Sequence, residues 1–419
     1  MESAGEDVGS TMLAPLARAR VALITLFQRQ PWIGWVGWDA AVCIAIARVH
    51  PRRFDSTFAA YLDAADRLWA GERIYNPLTL GDFLYFPISL LIHVPLTKLD
   101  PVAAAAIALT IGAALLTWAC AELMSALMAG QERSDDALAL AGVLLLINIP
   151  AAWFNFKGIQ AQVPMTAAMI AACVAMARSR WIAASFWLFI AIVMKPLAIV
   201  MVLLSAALVR EMRLPLIAAV AATLLLPFAF LDWSYLAEQY RFMAAKLWLI
   251  ATEPPLEWIY QADFSTMLRE LGIELPRPVM LGIRLAAALG TLALAWRVRR
   301  AGGARSFALA VLVLSGCYIT LLGPRNEYLS FVVLTPSITA LALVMIARAD
   351  ADYRGWLLIL AALVLGFVWG AEVNSAGKPA IVLAIYLWLA WLMAVPARWG
   401  AIVEDAPASS AVAAPAGDR

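Results

Sequence analysis

The chain has 419 residues, of which 64% are hydrophobic and 14% are charged, and its mean hydropathy is +0.82. These values exclude a soluble globular domain, because such domains are far more polar. The net charge is +2 without a basic stripe or tail, which argues against a nucleic-acid partner. The four cysteines lie in apolar runs without metal-ligand spacing, so they are predicted to be small packing residues.

The length predicts an all-α polytopic membrane protein with about twelve transmembrane helices, because a helix needs about 20 residues to cross about 30 Å of hydrocarbon. One membrane-embedded domain is expected at residues 31–397, between a cytoplasmic or interfacial segment at 1–30 and a disordered cytoplasmic tail at 398–419. The predicted spans are the apolar runs at about 32–48, 101–129, 137–152, 162–178, 181–194, 196–209, 214–231, 281–298, 305–322, 328–347, 355–372 and 379–396.

The first long connection, from Arg53 to Pro87, concentrates polar side chains in one segment. Apolar residues recur within it at helical spacing and predict a short amphipathic helix that ends at Gly71. Asp55 precedes this helix and is either its N-cap or a general base at the boundary of water and lipid, whereas Asp63 is predicted to face solvent. The apolar residues of the helix are Phe58, Leu62, Ala65, Leu68 and Trp69.

Orientation follows from the short turns, because lysine and arginine prefer the cytoplasmic side. One set of turns is rich in arginine, and its opposite set holds Lys157, Lys195, Arg325 and Lys378. The arginine-rich set is therefore predicted to be cytoplasmic, together with both termini. The first long loop and the second long loop, at 232–278, then meet the four cations of the opposite set on the outer face.

Three polar positions between spans are candidates for binding an anion or a sugar. The segment NFKGIQAQ is either a solvated loop or a set of donors for sugar hydroxyls or a phosphate. Lys195 is flanked by apolar residues, and a lysine at mid-bilayer costs about 2.5–3.5 kcal/mol, so we expect it to point into a polar cavity. Arg325 lies beside Asn326 and Glu327, where it forms either an ion pair or a bidentate phosphate contact.

The second long loop carries several tryptophans and tyrosines. Such residues are typical of membrane-interface anchors. They are equally suited to the wall of a groove for a sugar or a polyprenyl chain, and the sequence leaves both interpretations open. These residues are Trp233, Tyr235, Tyr240, Trp248, Trp258 and Tyr260.

Taken in order, these motifs resemble glycosyltransferase family 87, a GT-C family that includes polyprenol-phosphate-mannose-dependent mannosyltransferases. The resemblance covers about residues 30–395. It rests on Tyr61 with the alanines and Gly71 that follow, the Phe83 to Pro87 run, NFKGIQAQ, the Lys195–Pro196 pair, LRELGIELPRP and GPRNEYLSFVVLTP.

The resemblance implies an inverting transferase of the plasma (inner) membrane. It would move a mannose-like hexose from a polyprenyl-phosphate sugar to a lipid or glycan acceptor on the outer face. Asp55 takes the role of general base. Family members space this aspartate closer to the tyrosine, where this chain has Thr57, so Asp63 is an alternative base. Many members carry histidines where this chain has Asn326 and Glu327, and Glu327 is a third catalytic candidate.

The remaining roles follow from the same resemblance and from the chemistry of the side chains. The cations would hold the donor phosphate, and the amides and tyrosines would bind the sugar or acceptor. No cofactor or metal is expected, although a carboxylate-bound divalent ion stays an open alternative. The phosphate candidates are Lys195, Arg325 and Lys157, and the substrate candidates are Asn155, Gln160, Gln162, Tyr61, Tyr85 and Asn326.

Two other functional classes fit the same composition. About twelve spans with intramembrane charges such as Asp39 and Lys195 suit a secondary transporter of a polar or anionic solute. A non-catalytic lipid-handling subunit would need no general base, so Asp55 would be dispensable in it. The sequence specifies neither the sugar, the acceptor and the polyprenol nor the oligomeric state.

Overall fold

The computed structural model describes residues 22, 25, 26, 29–49, 57–76, 83–130, 136–252, 261–323, 326–348 and 353–404, with only the backbone at 250–252. Within these ranges the secondary structure is helical, apart from one antiparallel bridge between Gln261 and Glu327. The helices are α1 (Trp32–Ala47), α2 (Thr57–Ala70), α3 (Pro87–His93), α4 (Pro101–Met128), α5 (Ala137–Gly158), α6 (Gln162–Ala177), α7 (Trp181–Met194), α8 (Ile199–Leu208), α9 (Arg210–Leu225), α10 (Trp233–Thr252), α11 (Phe264–Glu270), α12 (Arg277–Ala301), α13 (Ala304–Leu322), α14 (Thr335–Arg348), α15 (Tyr353–Gly366), α16 (Lys378–Ala394) and α17 (Pro396–Val403).

Six of the described helices are long and apolar enough to cross a membrane. They are α4, α5, α9 with the 3-10 turn that follows it, α12, α13, and α16 with the π-helical turn that precedes it. Shorter apolar helices of 10–17 residues occupy the other six predicted runs. The predicted all-α membrane fold is therefore confirmed, while the number of crossings stays a prediction.

Small residues let the first helix approach the centre of the bundle. Gly34 of α1 faces Gly142 of α5 so closely that a Cβ on Gly34 would clash with the Gly142 backbone. Close approach at small residues favours helix association in lipid, where no hydrophobic effect operates between helices. Trp38, one turn further along α1, is buried and donates from Nε1 to the Thr117 hydroxyl of α4 at 2.7 Å. These contacts fix α1 against α4 and α5.

The centre of the bundle is formed by α6, α13 and α14. Of the apolar part of α13, 89% is buried inside the protein, against 11% for α12. Both helices are apolar, but only α13 is a core helix. The apolar side chains of α12 face outward, as those of a lipid-facing helix do. Apart from Arg305 and Arg348 at their ends, the core helices carry apolar, small and β-branched side chains, which suit close helix packing.

Polar contacts gather at the two ends of this bundle. At one end Arg178 pairs with Glu122 at 2.7 Å, and Arg305 donates to the Ala129 carbonyl at 2.5 Å. At the other end Asn155 donates to the Leu329 carbonyl at 3.0 Å. Arg178 and Arg305 of the arginine-rich set therefore lie at one end and the segment with Asn155 lies at the other, while the side of the membrane that each end faces stays a prediction.

Three predicted boundaries are corrected by the structure. The segment NFKGIQAQ is not a loop throughout, because α5 continues to Gly158 and ends only where Ile159 adopts φ 47°. The predicted run at 328–347 begins as a helix only at Thr335, after a turn. The loop at 232–278 is largely helical, since it contains α10 and α11. In a sequence, polar residues at the end of a helix are easily interpreted as a loop. The contacts that satisfy their backbone groups come from distant segments, which the sequence does not show.

We predict that Gly34→Ala weakens the contact between α1 and α5 and destabilises the protein by about 1–3 kcal/mol, because the added methyl group overpacks a tight crossing. The matched control is Gly290→Ala in α12, where nothing lies within 4 Å of the added Cβ. Thermal unfolding in detergent measures both variants. A Gly34→Ala protein as stable as the Gly290→Ala protein would contradict this packing.

Candidate active site

Helix α2 lies with one face buried, as its sequence pattern predicts. Phe58 and Leu68 are fully buried, whereas Asp63 is exposed. Gly71 ends the helix at φ +73°, a conformation that glycine adopts without steric cost. Trp69 is an exception to the predicted apolar face, since 55% of it is exposed. The rest of that face packs on the segment that leads into α3.

An aromatic cluster joins α2 to α3. The Tyr61 hydroxyl donates to the Tyr85 hydroxyl at 3.1 Å, and the Tyr75 hydroxyl donates to the Tyr85 carbonyl at 2.6 Å. The Tyr61 ring also contacts the rings of Phe83 and His93, with centroids 6.1 and 5.4 Å away. These contacts hold α2 and Tyr75 against the segment at 83–86 and against α3.

Burial raises the pKa of Tyr61 well above its ordinary value, and the neighbouring Tyr85 and the charge of Glu327 raise it further. Burial likewise raises the pKa of Tyr75. Both phenols are therefore uncharged at neutral pH and serve as hydrogen-bond donors. The effect on Tyr61 also shows that Glu327, which is remote in sequence, lies near the aromatic cluster.

A cavity of about 320 Å³ lies beside this cluster. Its walls come from α2, α3, α4, the end of α5, the start of α6 and the end of α7, and they are mostly apolar. This size falls in the usual range for small-molecule sites, in which a few polar groups orient a ligand within apolar walls. The polar side chains in its wall are Tyr61, Tyr85, Ser89, His93, Asn155 and Gln160.

Lys195 lies at the edge of the cavity. It adopts an extended backbone between α7 and the 3-10 turn that begins at Pro196, because proline disfavours the helical conformation at the residue before it. Its ammonium nitrogen is 5.7 Å from the centroid of the Tyr85 ring, and Met194 beside it lines the cavity. The predicted polar cavity is thus a mostly apolar one, and Lys195 lies beside its wall residues Tyr85 and Met194. Lys157, in contrast, is exposed and lies over the Phe154 ring at 5.3 Å.

The three amides of NFKGIQAQ have different surroundings. Gln160 donates from Nε2 to the Thr57 hydroxyl at 2.7 Å and so ties the α5–α6 link to the start of α2. Asn155 lines the cavity, donates to the Leu329 carbonyl, and leaves its Oδ1 without a partner among the described residues. Gln162 is fully buried, lies outside the cavity wall, and has no partner for either amide atom in that same part of the chain.

The turn that follows α13 carries the remaining candidates. Asn326 donates to the Thr320 carbonyl at 2.7 Å and accepts at its own carbonyl from the Ala262 amide at 2.7 Å. Glu327 pairs with Gln261 through the single described bridge and is half-buried. The side-chain Oδ1 of Asn326 is buried without a partner within the described ranges. This turn therefore holds a carboxylate and a buried amide next to each other, attached to α13 and to the segment that begins α11.

The structure thus places four predicted site residues, Tyr61, Tyr85, Asn155 and Gln160, in one cavity wall, and it turns two others, Asp63 and Lys157, away from that wall. Asp63 pairs with Arg67 at 2.9 Å on the exposed face of α2, with 60% of its side chain exposed, and Lys157 faces outward. Asp55 and Arg325 lie outside the described residues. His93 was missed as a wall residue of the cavity. Its four-residue spacing from Ser89, whose carbonyl its ring contacts at 2.8 Å, is the one sequence signal for it.

The aromatic residues of the second long loop form two groups. Tyr235 donates to the Glu72 carbonyl and Tyr240 to the Leu224 carbonyl, each at 2.7 Å. Trp233 and Trp248 are mostly exposed, as membrane-interface anchors are. None of these four residues lines the cavity, and Trp258 and Tyr260 lie outside the described residues. Among the residues that the structure describes, no three His, Cys, Asp or Glu side chains are placed to share a metal ion.

The profile of glycosyltransferase family 87 matches residues 83–324, more than half of the chain, and the chain belongs to this family. It is therefore a membrane glycosyltransferase, as the resemblance implied. No curated protein matches the sequence closely enough to count as a relative. The matched region includes Tyr85, Asn155 and Lys195, whereas α2 and the turn at 326–330 lie beyond it.

Gly112 lines the cavity, and a Cβ placed on it would meet only ordinary contacts at 3.8 Å. We predict that Gly112→Leu fills part of the cavity and weakens binding of a fluorescent long-chain isoprenoid about tenfold, because lost apolar burial of this size costs about 1–2 kcal/mol. Gly290→Leu, on the exposed side of α12, is the matched control. Equal binding by both folded variants would show that the cavity holds no hydrocarbon chain.

Proposed function

We propose that this glycosyltransferase moves a hexose, of the mannose type, from a polyprenyl-phosphate sugar to a lipid or glycan acceptor. The observation that carries the proposal is the position of Lys195 at the edge of an apolar cavity. A polyprenyl phosphate has the same two parts, a long hydrocarbon chain and an anionic head. A nucleotide sugar would have no use for the apolar wall.

The donor phosphate is assigned to the cations beside this cavity. The ammonium group of Lys195 stabilises the charge that grows on the phosphate as the sugar leaves, and this effect is large where water is excluded. Arg325 directly precedes Asn326 in the sequence and is proposed as the second cation, since arginine holds phosphate oxygens bidentately. Lys157 is a weaker third candidate, because it is exposed.

The sugar and acceptor hydroxyls are assigned to the uncharged polar groups. Asn155 lines the cavity with a buried Oδ1 that has no partner among the described residues, and Gln160 and the two hydrogen-bonded tyrosines lie on the same wall. Gln162 and Asn326 are buried behind it and are proposed to complete the polar surface on the acceptor side. Amides suit this task, because each presents both a donor and an acceptor.

In the proposed reaction a carboxylate removes the proton of the acceptor hydroxyl. The acceptor oxygen forms a bond to the anomeric carbon, and the bond from that carbon to the phosphate oxygen breaks, releasing polyprenyl phosphate with inverted configuration at the sugar. The residues alone provide this chemistry, so no cofactor is needed. Asp55 is the proposed base, with Glu327 and Asp63 as alternatives.

Two observations support this order of candidates. Thr57, two positions after Asp55, is hydrogen-bonded to Gln160 of the cavity wall, which brings the start of α2 to the site. Glu327 is half-buried and acts on Tyr61, whereas Asp63 is exposed and already paired with Arg67.

The site is proposed to face the outside of the plasma membrane, with both termini in the cytoplasm, because the arginine-rich turns lie at the other end.

We predict that Asp55→Asn lowers sugar transfer about 10²- to 10⁴-fold, the usual contribution of a general base, and leaves donor binding unchanged. The assay follows transfer from radiolabelled polyprenyl-phosphate hexoses to membrane lipid extract by the purified protein. Asp63→Asn is the matched control and is expected to stay active.

Transfer by Asp55→Asn at the wild-type rate would remove Asp55 from the base position, and loss in Glu327→Gln would then assign that role to Glu327. Failure of the wild-type protein to use any of several hexose donors would contradict the donor class. In that case, uptake of an anionic solute into proteoliposomes would test the transporter interpretation.

We predict that Lys195→Met raises the KM for the polyprenyl-phosphate donor about tenfold or more, because a lost hydrogen bond to a charged group costs about 1.5–3 kcal/mol. Lys157→Met removes the same charge from the end of α5 and is the control, with an expected change below about twofold. Steady-state kinetics over a range of donor concentrations measures both. Equal effects of the two substitutions would mean that general surface charge, and not the position of Lys195, matters.

A further inference from the structure

A second lysine lies at the end of the bundle that holds the candidate active site, and the reaction proposed above assigns it no role. Lys378 begins α16 and is fully buried, although the sequence shows it only as a turn cation between two apolar runs. Burial of an ammonium group is costly unless hydrogen bonds and charges compensate for it. Its contacts therefore indicate what this lysine stabilises.

The Lys378 ammonium group contacts the turn that follows α13. Its nitrogen lies 3.4 Å from the Tyr328 carbonyl oxygen, 5.1 Å from the centroid of the Phe331 ring and 6.0 Å from that of the Tyr328 ring. Among the described residues its neighbours are thus a carbonyl dipole and two aromatic faces rather than a carboxylate. A cation over aromatic rings is attracted by their negative faces.

The backbone around Lys378 determines the position of its side chain. Pro379 has no N–H, so it cannot give the usual helical hydrogen bond to the carbonyl four residues earlier, and the chain forms a wide π-helical turn at Val373–Gly377. Such turns are frequent at functional sites. Asn374 anchors this turn, donating to the Trp369 carbonyl at 2.5 Å and accepting from the Trp369 amide at 3.3 Å.

The contacted turn carries the polar residues of the site. Tyr328 follows Asn326 and Glu327 directly, and Leu329 accepts the hydrogen bond from Asn155. Contacts along the described part of this turn include the bond from Asn155 to the Leu329 carbonyl, the bond from the Ala262 amide to the Asn326 carbonyl, and the bridge between Gln261 and Glu327. Lys378 adds a charged donor to the Tyr328 carbonyl, directly after Glu327.

We propose that Lys378 is a positioning residue for the transfer reaction: it holds the Tyr328 carbonyl, and so fixes the turn that carries the neighbouring Glu327 and Asn326. It acts through the turn and touches neither donor nor acceptor. The inference rests on the proposed function for its kinetic consequence, but the structural consequence, a turn that loosens when the charge is removed, is independent of the reaction.

The structural test uses a cysteine reporter at the turn. The reporter is Glu327→Cys combined with Cys43→Ser, because Cys43 is the exposed native cysteine of the described chain. An impermeant thiol reagent and mass spectrometry give the labelling rate at residue 327. Adding Lys378→Met is expected to raise this rate about tenfold, because loss of a charged hydrogen bond frees the turn, whereas Lys378→Arg keeps it near the parent rate.

Buried native cysteines serve as an internal control for general unfolding, and they are Cys120, Cys173 and Cys317. Lys98→Met removes an exposed lysine and is expected to leave every rate unchanged. An unchanged rate at residue 327 with Lys378→Met would overturn the proposal, as would equal labelling of the buried cysteines. If the methionine variant is recovered unfolded, Lys378→Gln, which keeps a neutral donor, is measured in its place under the same criteria.

The kinetic test uses the otherwise native protein. Lys378→Met is expected to lower kcat for sugar transfer about 100-fold with little change in donor KM, since a small displacement of a reacting group affects turnover more than binding. Lys378→Arg is expected to restore part of kcat. An unchanged kcat would overturn the proposal. If the wild-type protein transfers no sugar, the proposed function fails, and the labelling rates still decide whether Lys378 holds the turn.

Discussion

The hydrogen bond from Asn155 to the Leu329 carbonyl connects the two parts of the site, and the remaining polar geometry follows from it. Asn155 lies on the last turn of α5, and Leu329 lies in the turn after α13. Inside an apolar bundle a polar group without a partner is costly, so a buried amide determines the position of whatever it binds. This bond places the turn with Glu327 over the cavity wall that α5 provides.

Two further contacts extend the same constraint to the first long connection. Gln160 binds Thr57, and Tyr61 binds Tyr85, so α2 is attached at its start and along its buried face. The apolar wall supplies most of the contact area in this region, while the hydrogen bonds select one arrangement of it. Dispersion and close packing hold membrane helices together in lipid, but they specify orientation weakly. The relative orientation of the helices at the end that holds the candidate site therefore depends on a small number of buried polar side chains.

The sequence predicts the helices of this fold well, because apolar length and helical periodicity are local properties. It also predicts the amphipathic helix α2 and the break at Lys195, since Gly71 and Pro196 impose their effects on adjacent residues. Family membership was also recognisable from the order of short motifs, and the match at residues 83–324 confirms it. Local signals of this kind can be interpreted without knowing which helices are in contact.

What the sequence did not show depends on contacts between distant segments. Asn155 and Lys157 are two residues apart and look equivalent, yet one is buried on the bundle and the other is exposed, because only the packing of α5 decides which face is covered. Asp63 and Glu327 are equally plausible as bases in the sequence. In the structure Asp63 is paired with Arg67, whereas the charge of Glu327 acts on Tyr61. The sequence showed Lys378 only as a turn cation and gave no sign of its burial or its partner, since Tyr328 lies fifty positions earlier in the chain.

These contacts also suit the requirements of an inverting displacement. In such a reaction the leaving phosphate and the incoming hydroxyl take opposite sides of one carbon, so the cation and the base must be held apart while both stay within reach of the sugar. Lys195, the proposed phosphate cation, lies beside the Tyr85 ring, and the charge of Glu327, the alternative to Asp55 as base, acts on Tyr61. The hydrogen bond from Tyr61 to Tyr85 joins the neighbours of these two groups, and Tyr61 stays protonated because burial raises its pKa. The relative position of the cation and this carboxylate therefore depends on one contact between two aromatic side chains.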